Sequence, residues 1–397
     1  MPTFGMALSI TAVSSYLPVV MRGHAGSTAT IGGILATEGL MALWVPVVAG
    51  DRSDRLRTRI GGRLPFVLAG TPLMFAGLCL VGVVRDVIDI AALVVVFFFG
   101  YFLAYEPYRA MYPDLVPDAE AGRSQSVQAG WRGAGTGTAL ISGGLLLGIA
   151  DFLPFVVYAL LLALSVGLFV AISASGARAD ARRRVRPGGT DGAGGSFALA
   201  RRLLREEPAL RVYFLCNGLW EMTLAAIKTF VVLYVTAGLG YSLDAASLII
   251  GGVAIVILLA ALASGGLGDR YGRLRVVQAS VLVFGLGLLV PALTTFRPAL
   301  IVAVPLVAIG GGTLMSLPYS ILMPLMPEGE HGAVTGLYAL SRGLGVMAGP
   351  LLAGIAIDVL SSVFSSTQGY AATWLVAAAA ALLSLVPLHR LRSLADG

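Results

Sequence analysis

Apolar runs of about twenty residues alternate with short polar stretches along the whole chain. A helix needs about 17 to 25 such residues to cross a hydrocarbon core of about 30 Å, and twelve segments qualify. The pattern predicts helices over 4–21, 28–49, 64–84, 88–108, 124–149 and 152–173 in the first half. In the second half it predicts 211–237, 243–267, 274–294, 299–320, 333–360 and 370–388. This is an all-α membrane protein of two six-helix bundles, 1–174 and 211–397, joined by an Arg- and Gly-rich linker over 175–210. The first run has no preceding positive region and no small-residue cleavage site, so it reads as a retained helix.

The halves are repeats. "GDRSDRLRTRIGGRLPF" from Gly50 recurs 215 residues later as "GGLGDRYGRLRVV" from Gly265. "PYRAMYPDLVPDAEAGRSQSVQAGWRGAG" from Pro107 aligns with "PYSILMPLMPEGEHGAVTGLYALSRGLG" from Pro318, which pairs Pro113 with Pro324, Gly122 with Gly332 and Arg132 with Arg342.

Composition removes the soluble alternatives. The chain is 57% hydrophobic and 12% charged, against roughly 25% charged in soluble domains, so it needs a bilayer to cover its apolar surface. The formal charge of +6 does not indicate nucleic acid, because the basic residues collect in short segments between helices. Of 27 basic residues, Arg22, Arg85 and Arg297 fall at one face and Arg132, Lys228 and Arg342 inside helices; all the others gather at the opposite face. The positive-inside rule makes that face cytoplasmic, with both termini there, as expected in a cell (inner) membrane. Cys79 and Cys216 lie in apolar runs and read as packing residues, and His24, His331 and His389 have no metal-ligand spacing. No metal or organic cofactor is expected, and no nucleophile-and-base arrangement points to an enzyme.

Twelve helices in tandem repeats, with an Asp-Arg loop after helices 2 and 8, resemble the major facilitator superfamily. "SDRLRTRIGGRLPF" followed by "EPYRAMYPDLVP" is similar to its sucrose-transporter and glycoside/pentoside/hexuronide symporter branches. The resemblance implies alternating-access transport by a monomer. Sodium-coupled members of the glycoside branch carry Asp residues in helix 2, where this chain has the uncharged "MALWVPVV" from Met41, which argues against sodium coupling. The Gly-Pro signature of drug/proton antiporters is missing from helix 5, and Gly349-Pro350 stands in helix 11 instead.

Asp54 with Arg55, and Asp269 with Arg270, are expected in cytoplasmic turns. There they would act as latches that bind helix ends and neighbouring charges, with Arg109 as the partner of Asp54. The alternative is a purely topogenic basic loop. Charges near the bilayer centre are costly, by about 2.5 to 3.5 kcal/mol on insertion scales, and are functional candidates by default. Counted from the cytoplasmic helix ends, Glu38, Arg132, Glu221 and Arg342 lie about 13 to 18 Å deep. Lys228, the sole lysine, is seven residues after Glu221, on the same face but about 10.5 Å along the axis. Glu221 should therefore turn to Arg132 or Arg342, and Lys228 to Glu38 or substrate. Asn217 and Trp220 flank Glu221 and would complete a sugar site of amide, aromatic plane and carboxylate.

These residues predict proton-coupled uptake of a small polar solute such as a sugar, with Glu221 as the protonatable group. Three other readings stay open: a static ion-pair network, proton-driven efflux of an amphipathic compound, and a non-transporting receptor or scaffold.

Overall fold

The computed structural model describes residues 2–56, 58, 60–111, 121–180, 201–327 and 330–396. It is helical, with no strand among the described residues. Among the described residues, eleven helices are long and apolar enough to cross a membrane. They are α1 (Pro2–Met21), α3 (Leu64–Val81), α4 (Val87–Ala110), α6 (Leu153–Asp180), α7 (Pro208–Gly238), α8 (Leu243–Tyr271), α9 (Arg273–Leu293), α10 (Arg297–Ser316), α12 (Ala372–Leu394), and the apolar parts of α2 (Thr28–Arg55) and α11 (His331–Val359). A further helix of 29 residues, α5 (Ala121–Ile149), is diluted by glycine and polar residues. Most of the predicted linker, 181–200, lies outside the described residues.

At both repeated loops the helices run past their predicted ends. The sequence pattern ends helix 2 at Ala49, yet α2 runs on to Arg55, and α8 runs on to Tyr271. Asp54, Arg55, Asp269 and Arg270 therefore lie in last helical turns rather than in turns between helices. Basic side chains in a last turn complement the negative end of the helix dipole, and Asp51 to Arg55 adds an i,i+4 ion pair at 2.6 Å. A glycine follows each helix, Gly272 as the cap of α8 and Gly61 six residues beyond the end of α2. Gly61 at φ 92° and Gly272 at φ 89° take the left-handed conformation that other residues adopt only with strain.

The chain divides into two compact units: residues 1–24 with 41–190, and 25–40 with 191–397. The first thus holds α1, the carboxyl half of α2 and α3 to α6; the second holds the amino half of α2 and α7 to α12. Without a hydrophobic drive between helices in lipid, association relies on close backbone approach at small residues. In the first unit a Cβ on Gly70 would stand 2.4 Å from the Gly100 carbonyl, and one on Gly135 would stand 2.4 Å from the Phe4 carbonyl. In the second, Gly345 and Gly349 of α11 press on the Gly218 and Met222 carbonyls of α7 at 2.3 and 2.4 Å in the same sense.

Candidate functional site

In the second unit the charges within the helices resolve into two pairs. Lys228 on α7 donates to both carboxylate oxygens of Glu38 on α2, each at 3.3 Å. Arg342 on α11 meets Glu221 on α7 through Nε at 3.5 Å. Neither pair is sealed: the Lys228 and Arg342 side chains keep 35% and 46% of their surface exposed, against 13% and 20% for their acids. Glu221 and Lys228 do not pair with each other, as the two helical turns between them require. A partly exposed cation against a more enclosed carboxylate is an arrangement that can exchange a proton or a solute for the partner charge.

Asn217 and Trp220 do not form an open face beside Glu221. Asn217 is 1% exposed and donates to the Ser341 hydroxyl at 2.8 Å. Trp220 is 1% exposed, donates to the Ser384 hydroxyl at 2.9 Å and sits edge-on to Tyr213. These donors are spent on α11 and on the residue that precedes the last turns of α12, so they position α7, and the enclosed Trp220 offers no free ring face. Spacing places residues on one side of a helix; it does not say which neighbour supplies the partner hydroxyl.

In the first unit Arg132 on α5 donates to the Tyr105 hydroxyl on α4, and its guanidinium lies over the same ring at 5.4 Å. Tyr101 stacks on Tyr105 at 5.1 Å. Arg132 is exposed and forms no ion pair among the described residues.

The charges at the repeated loops satisfy one another locally. Arg109 pairs with Glu106 at 3.6 Å and lies over Tyr105; Asp269 pairs with Arg273 at 3.4 Å; Arg270 lies over its neighbour Tyr271. The Asp54 side chain, and with it the expected contact to Arg109, lies outside the described residues. A different arginine does the bridging. Arg63 donates to the Ala110 carbonyl at the end of α4, and its repeat counterpart Arg273 donates to the Ser320 carbonyl at 2.9 Å, in the short helical turn Pro318–Leu322 after α10. Each ties the start of one helix to unsatisfied carbonyls at the end of the next.

At the opposite end of α2 stands a contact that no motif announced. Asp358, in the last turn of α11, accepts from the backbone N–H groups of Thr28 at 3.0 Å and Ala29 at 2.8 Å and from the Thr28 hydroxyl. The Thr28 hydroxyl also reaches the Gly354 carbonyl at 3.0 Å. Below this clasp the two backbones lock through glycine: Gly32 against the Pro350 carbonyl at 2.2 Å and Gly39 against the Gly343 carbonyl at 2.4 Å, each measured from the Cβ the glycine lacks.

Residues 213–394 match the family model of the Major Facilitator Superfamily. An uncharacterized MFS-type transporter of Bacillus subtilis, YfiU, is 31% identical over 94 residues, covering 24% of this chain and 18% of the relative. Multidrug resistance protein 3 of the same organism is 31% identical over 97 residues, covering 24% and 19%. The chain thus spans about a fifth of the length of the curated relatives it matches. Whole-chain likeness comes from solved structures. A bacterial homolog of the human lysosomal transporter Spinster, inward-facing and occupied, superposes with TM-score 0.78 at 13% identity, covering 99% of this chain and 95% of that one. A point mutant of the nucleoside transporter NupG gives 0.74 at 13%, covering 98% of each chain, and a D-xylose-proton symporter 0.71 at 14%, covering 96% and 95%. The chain has the major facilitator fold from end to end, and its second half carries that superfamily's sequence signature.

Proposed function

We propose that this protein is a secondary active transporter, not an enzyme, working by alternating access and coupling the uptake of a small polar solute to protons. The arginine-rich face is then cytoplasmic. One observation carries the reading: Glu221, inside a membrane helix, faces a half-exposed Arg342 at 3.5 Å, one acid-base pair along from Glu38 and Lys228. A carboxylate paired with an arginine that solvent can reach is able to trade that partner for a proton when the pair loosens. The clasp at Thr28 and Asp358 would be an outer gate contact, broken and remade once per cycle. With Trp220 enclosed, the solute is better described as polar and small than as a sugar held on an aromatic plane.

The test uses the full chain in proteoliposomes, with solutes first chosen by a thermal-shift screen of sugars, sugar acids and nucleosides. An imposed pH gradient, acid outside, should drive accumulation in the wild type. Glu221→Gln should abolish it while leaving solute exchange, since the amide mimics the protonated acid. Accumulation that ignores pH and requires sodium overturns the coupling.

A second reading, proton-driven export, is favoured by the similarity to Multidrug resistance protein 3 over 97 residues. Export predicts that inside-out vesicles accumulate a cationic dye when acidified within and that right-side-out vesicles take up no sugar or sugar acid.

A further inference from the structure

The two repeats differ at one position in a way that leaves a cation open. On α11, the glycine three residues after Arg342 packs on α7, where a Cβ on Gly345 would meet the Gly218 carbonyl at 2.3 Å and the Glu221 Cβ at 2.8 Å. On α5, the glycine three residues after Arg132 packs on α1 the same way, against the Phe4 carbonyl at 2.4 Å and the Ala7 Cβ at 3.1 Å. Ala7 therefore stands where the other repeat has Glu221. Arg342 has its acid, whereas Arg132 is exposed and has, among the described residues, a tyrosine and no carboxylate. A guanidinium without a counter-charge is not stable against hydrocarbon, so at the depth expected from the sequence Arg132 would face water or a ligand.

A second donor lies close by. Gln128 is one helical turn before Arg132, on the same side of α5. It is 5% exposed, and its side-chain Nε2 has no hydrogen-bond partner among the described residues. Tyr105 accepts from Arg132, which leaves the phenol proton free to donate. Guanidinium, amide and phenol are all donors, and what they share is a need for acceptor oxygens carrying negative charge. Cation–π contact with Tyr105 and its hydrogen bond fix the guanidinium in place, so little side-chain freedom is lost when an anion arrives.

We infer that Arg132, with Gln128 and Tyr105, forms an anion-binding subsite for the carboxylate or phosphate group of a small solute. This rests on the transporter reading for its purpose, but not for its chemistry.

The experiment measures thermal stability of the full-length protein in phosphatidylcholine nanodiscs against sodium glucuronate, inorganic phosphate and glucose. The sugar acid or phosphate should stabilise the wild type more than glucose does at equal concentration. Losing the charged donor should weaken that effect by about tenfold or more in Arg132→Gln. Arg132→Lys should keep part of it, and Gln128→Leu should lose a few-fold. Ala7→Glu, which installs the acid of the other repeat, should also remove it; Arg132→Gln carries the test alone if the buried position rejects Glu. Arg297→Gln, at the far face, should change nothing. Stabilisation by neither oxyanion, or stabilisation unchanged in Arg132→Gln, overturns the subsite. So does an effect that disappears in phosphatidylglycerol nanodiscs, since Arg132 would then hold a lipid headgroup. A protein that binds glucuronate through Arg132 but accumulates no solute under a pH gradient keeps the subsite and loses the transport reading. One that accumulates neutral solutes and ignores oxyanions does the reverse.

Discussion

Arg132 and Arg342 occupy the same place in two copies of one half-molecule, each three residues before a glycine that seats its helix on a partner backbone. One faces a tyrosine and the other a glutamate. Duplication supplied two arginines, and at the facing position, Glu221 in one copy and Ala7 in the other, one has an acid and the other has none among the described residues. The helix starts diverge in the same manner. Ser27 and Ser242 cap α2 and α8 alike, each accepting from the N–H three residues on, at 3.1 and 3.3 Å. Among the described residues, α2 adds a carboxylate from another helix, Asp358, and α8 does not. At the arginine-rich face, by contrast, Arg63 and Arg273 have kept a common role on neighbouring carbonyls. The skeleton of the repeat is preserved where it holds helices together, and its charges diverge where they could meet protons or solute.

The strongest way to break this comparison is to make the second repeat resemble the first. Glu221→Ala leaves Arg342 without its acid, and the expected loss is about 2 kcal/mol, below the 3 to 5 typical of fully buried pairs because Arg342 is half-exposed. Chemical denaturation in mild detergent, wild type against variant, measures it. A loss near zero would mean that the pair, and with it the contrast to Arg132, has no energetic content.

A smaller effect is expected at the clasp. Asp358→Asn keeps the shape but weakens the cap on α2, by about 0.5 to 2 kcal/mol on the scale of cap substitutions, whereas Ser242→Ala should affect only the local start of α8. A cysteine at Gly33 reports the undocking, because a Cβ there meets only Leu351 at 4.0 Å. Alkylation of that cysteine should quicken in the Asp358→Asn background and stay unchanged with Ser242→Ala. Equal rates in all three proteins would remove the clasp as a gate. Smallest of all, Arg63→Lys and Arg273→Lys should each lower stability by about 0.5 to 1.5 kcal/mol, one hydrogen bond's worth, and by similar amounts. A large disparity in thermal midpoints would break the equivalence that the geometry assigns to them.

Much of this was legible in the sequence because hydropathy and formal charge act over whole helices. The helices and the repeat register follow from apolar length and the recurring Gly-Asp-Arg segment. Lys228 had few acids at a compatible depth, and Glu38 is its partner; Glu221 had two candidate arginines, and Arg342 is the one it meets. The pairs Asp51 to Arg55, Glu106 to Arg109 and Asp269 to Arg273 were readable in principle from their three- and four-residue spacing, but an expected latch drew those charges into longer-range roles. Other features were not readable. Whether Asn217 and Trp220 face a cavity or a neighbour depends on Ser341 and Ser384, each more than a hundred residues away. The clasp joins Thr28 to Asp358 across 330 residues, with no periodicity to signal it.

The glycine seam between α2 and α11 has a kinetic meaning. Gly32, Gly39 and Gly354 bring backbone against backbone, so few long side chains interlock across it. Docking such surfaces immobilises almost no rotamers, and the side-chain entropy lost on contact, up to about 2 kcal/mol for each long residue in an ordinary core, is largely absent. In the alternating cycle proposed above, such a seam would open and reclose without repacking long side chains, which would lower the barrier to its opening.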